Sequence, residues 1–193
     1  MSGFRDKLLL GSLELNQRLA RSAANSMDYL FKRDTLIKSG RTWFELVHDS
    51  DLMAVRYYEL PDEDEIELPD GSSMPIRRRQ HALPLVLVPP LGVTTETFDL
   101  MPQRSLVKYM VASGFKVYLV DWGRPQREHG HLGLADYARD MLGEALQHVR
   151  RHSGSREVSL MGWCMGGLFC LLYQGVSKDP LVRNLVTVAS PID

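Results

Sequence analysis

Ten residues, Val158-Ser159-Leu160-Met161-Gly162-Trp163-Cys164-Met165-Gly166-Gly167, leave this chain few ways to fold. An apolar, strand-like run enters Gly-x-Cys-x-Gly, and a helix-like run, Leu168 to Gly175, leaves it. A strand that turns at once into a helix needs a sharp corner. Such a corner holds its central residue in a strained conformation with the side chain exposed. A Cβ at either flanking glycine, Gly162 or Gly166, would crowd the turn or the strand–helix packing. The central residue is Cys164. A thiol at a helix N-terminus is favoured as thiolate by the helix dipole and the free backbone N–H groups. The stretch therefore reads as a nucleophile elbow that carries sulfur.

The preceding residues supply a sheet for that corner. Pro84-Leu85-Val86-Leu87-Val88 is a continuous apolar strand of the kind buried on both faces of a parallel sheet, and Pro89-Pro90-Leu91-Gly92-Val93 ends it. Arg104 to Ser113 reads as a helix closed by Gly114, and Lys116 to Trp122 as the next strand. Leu134 to His152 is a long amphipathic helix stopped by Gly154. Glu157 to Met161 is the elbow strand, and Asn184 to Ala189 is another. Alternation of this kind calls for an open, mostly parallel sheet with flanking helices. Ligands in such sheets bind beyond the carboxyl ends of the strands, where Cys164, Pro90 and Trp122 fall.

The first half is less regular. Residues 1–40 read as an N-terminal helical region, with Leu15, Leu19, Ala23, Met27, Leu30 and Phe31 recurring every three or four positions. Residues 41–193 read as the core. Within them, 40–80 suggests an edge hairpin or a pair of strands, clearest at Met53 to Tyr58. Asp62-Glu63-Asp64-Glu65 reads as a solvated loop, and Arg77-Arg78-Arg79 as an exposed basic run.

Composition narrows the function. A chain that is 44% hydrophobic and 24% charged is globular, and a net charge of −1 without a basic, aromatic-interleaved stripe argues against nucleic-acid binding. The longest apolar run, Leu83 to Val93, is broken by prolines and too short to span a bilayer. Cys164 and Cys170 fall on opposite sides of one helical turn, so no mutual disulfide is expected and a reducing cytoplasm fits.

Acyl transfer at a thiol needs a nucleophile, a base, a group to orient the base, and donors for the oxyanion. Cys164 is the first. The backbone N–H of Met165 is one donor. The loop after the first core strand should give the second; Pro89 and Pro90 have no N–H, so the candidate is Leu91. The base is harder to place. His48, His81, His129, His131, His148 and His152 all precede Cys164, whereas in this architecture acid and His follow the nucleophile. His148 and His152 lie one turn apart on the outside of a helix with no third ligand evident, so no metal site is expected. Asp179, in a Lys-Asp-Pro turn, reads as a turn or capping residue. The sequence is therefore expected to be a fragment that stops before its acid and His. An apolar strand at its end would also form a bare sheet edge.

These motifs together resemble the α/β-hydrolase fold in its N-terminal part, and within it the poly(3-hydroxyalkanoate) synthases, most of all their heterodimeric short-chain branch. The resemblance covers about Pro84 to Asp193. It rests on Pro84 to Pro90, Arg104-Ser105-Leu106-Val107, Val117 to Gly123, Asp136-Tyr137, Gly162 to Gly167, Asn184-Leu185-Val186-Thr187 and Pro191-Ile192-Asp193. It implies an acyltransferase that loads (R)-3-hydroxyacyl groups from coenzyme A onto Cys164 and extends a polyester. It also implies that the family's Asp, His and cap lie outside this chain. Acyl-CoA would be the substrate, with no cofactor. The growing polyester would be a partner, and a second copy, a partner subunit and a granule surface are left open. Two alternatives stand beside it. One is a Cys-dependent hydrolase resembling dienelactone hydrolase; the other is a non-catalytic family member that binds granules or a partner through its N-terminal helix.

Overall fold

The computed structural model describes Arg18, Arg21, Ser22 and residues 39–192. The chain divides into two compact units, Met1–Lys38 and Ser39–Asp193. Of the first, the three described residues are helical; the rest of the helix expected over residues 1–40 lies outside the described residues, save 39 and 40, which form a bend.

The second unit is built on one six-stranded sheet. Its strands are β1 (Glu45–Asp49), β2 (Ala54–Tyr58), β5 (Pro84–Val88), β6 (Lys116–Asp121), β7 (Val158–Trp163) and β8 (Val182–Val188), in the order β1-β2-β6-β5-β7-β8. β6, β5, β7 and β8 run parallel. β1 and β2 join as an antiparallel pair on the β6 side. The expected edge hairpin is therefore present. A second small hairpin, β3 (Glu65–Glu67) with β4 (Ser73–Pro75), stands apart from the main sheet. Its Ile66 and Ile76 pack on Ala112.

Strand alternation decides what covers each face. Leu85, Leu87, Val117 and Leu119 point to one side, where α1 (Leu106–Ala112) covers them with Val107 and Val111. Val86, Val88, Tyr118, Val120, Val158 and Leu160 point to the other. There α2 (Leu142–Ser153) brings Leu142, Ala145, Leu146 and Val149, and α3 (Met165–Ser177) brings Phe169, Cys170 and Tyr173. All five residues of β5 are buried, as a strand covered on both faces must be.

Ser105 caps α1 by accepting a hydrogen bond from the Lys108 N–H, and Gly154 closes α2 in the left-handed conformation, φ 68°. The helix expected from Leu134 is continuous with α2, but Asp136–Met141 is wound as a π-helix. Among the described residues no helix is long and apolar enough to cross a membrane.

One short-range reading changes. Arg78 is not simply part of an exposed basic run: its guanidinium donates to the carbonyls of Pro61, Asp62 and Glu63 at 2.6–2.9 Å and clamps the acidic loop. Buried Asp99 accepts from both the N–H and the hydroxyl of Thr42, each at 2.8 Å, and fastens the chain ahead of β1.

Candidate active site

The corner between β7 and α3 is as abrupt as its glycines imply. Cys164 alone separates strand from helix, at φ 52° and ψ −124°, and its side chain is exposed. A non-glycine residue in that region stores about 1–3 kcal/mol of strain, which the surrounding packing must hold in place. The Cys164 N–H donates to the Val188 carbonyl of β8 at 2.8 Å, and the Cys164 carbonyl accepts from the Gly167 N–H at 3.0 Å.

The glycines permit two close approaches. A Cβ on Gly162 would lie 2.4 Å from the Gly166 carbonyl oxygen and the Gly167 backbone, so the strand end and the first turn of α3 could not meet. A Cβ on Gly166 would lie 2.0 Å from the Val88 carbonyl oxygen. The first turn of α3 therefore rests directly on the end of β5, beside the loop that carries Leu91. The N–H of Met165, first residue of α3, has no acceptor within the helix.

The Leu91 loop is fixed from its other side by the residue that follows β6. The Trp122 indole N–H donates to the Pro89 carbonyl at 2.8 Å. Its ring meets Tyr137 and Phe169 edge-on, both at 5.7 Å, and Phe169 belongs to α3. One buried indole thus ties the π-helix, the elbow helix and the Leu91 loop together. Asp121 is held by Arg56 at 2.5 Å and accepts from the Gly123 N–H at 3.0 Å. Asp-Trp-Gly is in this structure a brace for the loops. A cleft of about 230 Å³ opens at this end of the sheet, lined by Leu91 to Thr94 and Trp122 to Pro125. Cys164 is not among the residues that line this cleft, nor do elbow residues line two depressions that lie against α1.

The histidines are engaged elsewhere. His129 accepts from the Gln126 N–H at Nδ1 and faces Asp51 at Nε2, 3.0 Å away, so both ring nitrogens are committed. His131 Nδ1 lies 2.8 Å from the Glu128 carbonyl and His152 Nδ1 2.8 Å from the Tyr118 hydroxyl. His81 stacks on Phe115, and His48 on His148. Asp179 is structural: it binds Arg150 at 2.6 Å, the Tyr173 hydroxyl at 2.9 Å and the Leu181 N–H at 3.0 Å. Burial opposes its charge, but these donors prevail and hold its pKa below the usual carboxylate range.

Ser190 is a neighbour that sequence reasoning missed. It follows Ala189, which sits at φ 50°, and its hydroxyl lies where a Cβ on Gly167 would be, 1.9 Å away. Nothing in a Ser-Pro dipeptide signals that approach, since only the pairing of β7 with β8 creates it.

Comparison with known proteins agrees with this geometry. Residues 84–193 match the family model described as alpha/beta hydrolase fold. The poly(3-hydroxyalkanoate) polymerase subunit PhaC of Haloferax mediterranei is 30% identical over 185 residues, which is 93% of this chain and 34% of that protein. PhaC of Allochromatium vinosum is 29% identical over 97% of this chain and 48% of the relative. Poly(3-hydroxyalkanoate) polymerase 2 of Ectopseudomonas oleovorans reaches 42% identity over 62% of this chain and 22% of its own length. The chain thus spans about a third to a half of the first two relatives. Among solved structures, a candidate lipase from Sulfolobus solfataricus superposes with a TM-score of 0.51 at 17% identity, over 77% of this chain and 50% of its own. That likeness concerns the fold alone.

Proposed function

The chain belongs to the α/β-hydrolase fold family, and from that premise we propose that it carries the thiol nucleophile of a poly(3-hydroxyalkanoate) polymerase. The observation that carries this reading is Cys164 itself: an exposed sulfur at φ 52° on the strand-to-helix corner. Similarity to polymerase subunits over 93–97% of the chain supports the substrate class.

In this reading the Cys164 thiolate attacks the thioester carbonyl of an (R)-3-hydroxyacyl-CoA. The N–H groups of Met165 and Leu91 receive the negative charge that develops on the carbonyl oxygen. Collapse breaks the carbon–sulfur bond to CoA, which leaves as a thiolate, and the hydroxyacyl group stays on Cys164. Its hydroxyl, or that of a growing chain, then attacks another acyl thioester; an ester forms and a thiol is freed. One thioester replaces another in the loading step, so loading is nearly isoenergetic. Sulfur is suited to repeated transfer for that reason. In this reading none of the six histidines is the base, and another group takes the proton. The reaction requires no cofactor. We place it in the cytoplasm, with granule surface, second copy and partner subunit as further contacts of the whole polymerase.

A turnover assay of the whole polymerase that carries this chain, with (R)-3-hydroxybutyryl-CoA, separates this reading from a thiol hydrolase. CoA release accompanied by insoluble polyester, both abolished in Cys164→Ala, is the expected result. CoA release with only soluble hydroxyacid would assign the chain to the hydrolases, and turnover unchanged in Cys164→Ala would remove the thiol from the reaction.

A further inference from the structure

We propose that His48, Glu144 and His148 form a binding site for a divalent transition-metal cation, with zinc as the best fit, on the face of the sheet that α2 covers. The site is independent of the acyl-transfer reading. Glu144 and His148 are one turn apart on α2, and His48 comes from β1. Their donor atoms all lie within 4.8 Å of one another. His48 Nε2 and His148 Nε2 are 3.5 and 4.0 Å from the same oxygen, Glu144 Oε1. A tetrahedral zinc ion with bonds of about 2.0–2.1 Å sets its ligands about 3.3–3.4 Å apart, so of the three donor pairs His48–Glu144 is nearly in place, His148–Glu144 must close by roughly half an ångström, and the two imidazole nitrogens, within 4.8 Å of each other, must also draw together.

Two observations go beyond proximity. His48 Nε2 is buried and has no hydrogen-bond partner, although a carboxylate stands 3.5 Å away. A buried polar atom left in that state is costly, and a cation seated between the donors would satisfy it. The backbone also breaks its alternation to deliver this side chain. The register of β1 against β2 shifts between Leu46 and His48. Consecutive strand residues ordinarily face opposite sides, yet Val47 packs into the core beneath α2 while His48 stacks on His148 of that helix. A bulge re-aims side chains in this way.

The donor set selects the ion. Two imidazoles and one carboxylate suit zinc and its transition-metal neighbours, and leave a fourth position for water; magnesium and calcium prefer oxygen alone. Two adjustments are needed. The imidazole rings, 3.8 Å apart and inclined at 32°, must tilt so that both nitrogens point at one centre. Arg151, whose guanidinium lies 3.1–3.2 Å from the two His148 nitrogens, must swing away, which its exposed position allows. Once filled, the site would clip the antiparallel edge of the sheet to α2.

The test is calorimetric titration of the chain with zinc chloride after alkylation of Cys164, so that its thiol cannot compete. One saturable site per chain is expected, with affinity reduced roughly tenfold or more in His148→Ala and Glu144→Gln. Arg151→Ala should bind more tightly, a direction that a purely structural role for the cluster does not produce. Zinc should also raise the unfolding temperature of the parent but not of His148→Ala. Glu144 is half exposed and His148 partly so, and circular dichroism checks that both variants fold. No saturable zinc binding, or equal affinity in the parent and both ligand variants, would overturn the site.

Discussion

Two cysteines six residues apart receive opposite chemistry from one helix. Cys164 is exposed at the corner, whereas Cys170 is fully buried against the sheet, and burial pushes its thiol up to about 12. Iodoacetamide applied to the native protein should therefore label Cys164 and spare Cys170, with both labelled after denaturation; peptide mapping reads the difference. Native labelling of Cys170 would contradict the packing of α3. Gly166 gives the complementary prediction. With an added Cβ only 2.0 Å from the Val88 carbonyl, Gly166→Ala should destabilise the protein by about 1–3 kcal/mol or more in denaturant titration. It should also loosen the corner that holds Cys164. The corner and its glycines were legible at residue resolution, because glycine spacing around a strand-to-helix turn reports a local steric requirement; the burial of Cys170 was not. Ser190 and Asp99 were not, because their partners are set by the pairing of distant segments.

At the scale of elements, α2, α3 and the turn before β8 share one ionic knot, Arg150–Asp179–Tyr173. The side chains of Arg150 and Asp179 are only 18% and 11% exposed, so solvent screens the pair weakly. A carboxyl with a depressed pKa in the folded state stabilises above its unfolded pKa, and that stabilisation is lost as pH falls through the folded value. Acid titration of stability should therefore show a loss below the ordinary carboxylate range that is absent from Asp179→Asn. At neutral pH that variant should be about 1.5–3 kcal/mol less stable, the cost of weakening hydrogen bonds to a charged group. Strands β5 to β8 and helix α2 could be read from hydrophobic period alone, since each buries a regular face. The π-helix at Asp136–Met141 could not: its Tyr137 packs against Trp122, which follows β6, and Phe169 of α3, contacts that only the assembled fold creates. The bulge in β1 and the Arg78 clamp escaped for a similar reason, being fixed by cross-strand register and by backbone carbonyls of another loop.

Across the whole molecule, the sheet serves to bring three strand ends together. β5 leads into the Leu91 loop, β6 into the Trp122 brace, and β7 into the corner. β8 pins that corner through the Val188 carbonyl, yet as the last strand in the described sheet it leaves Val186 and Val188 47% and 38% exposed. The sequence reading anticipated an apolar strand at this edge. The proposed function depends on one sulfur, that of Cys164, forming a bond to an acyl carbon. Peptide mass spectrometry after brief exposure of the protein to (R)-3-hydroxybutyryl-CoA tests that bond directly. The account predicts a hydroxybutyryl group on the peptide containing Cys164 and none on the peptide's counterpart in Cys164→Ala. A peptide that stays unmodified, or an acyl group found on another residue, would contradict it.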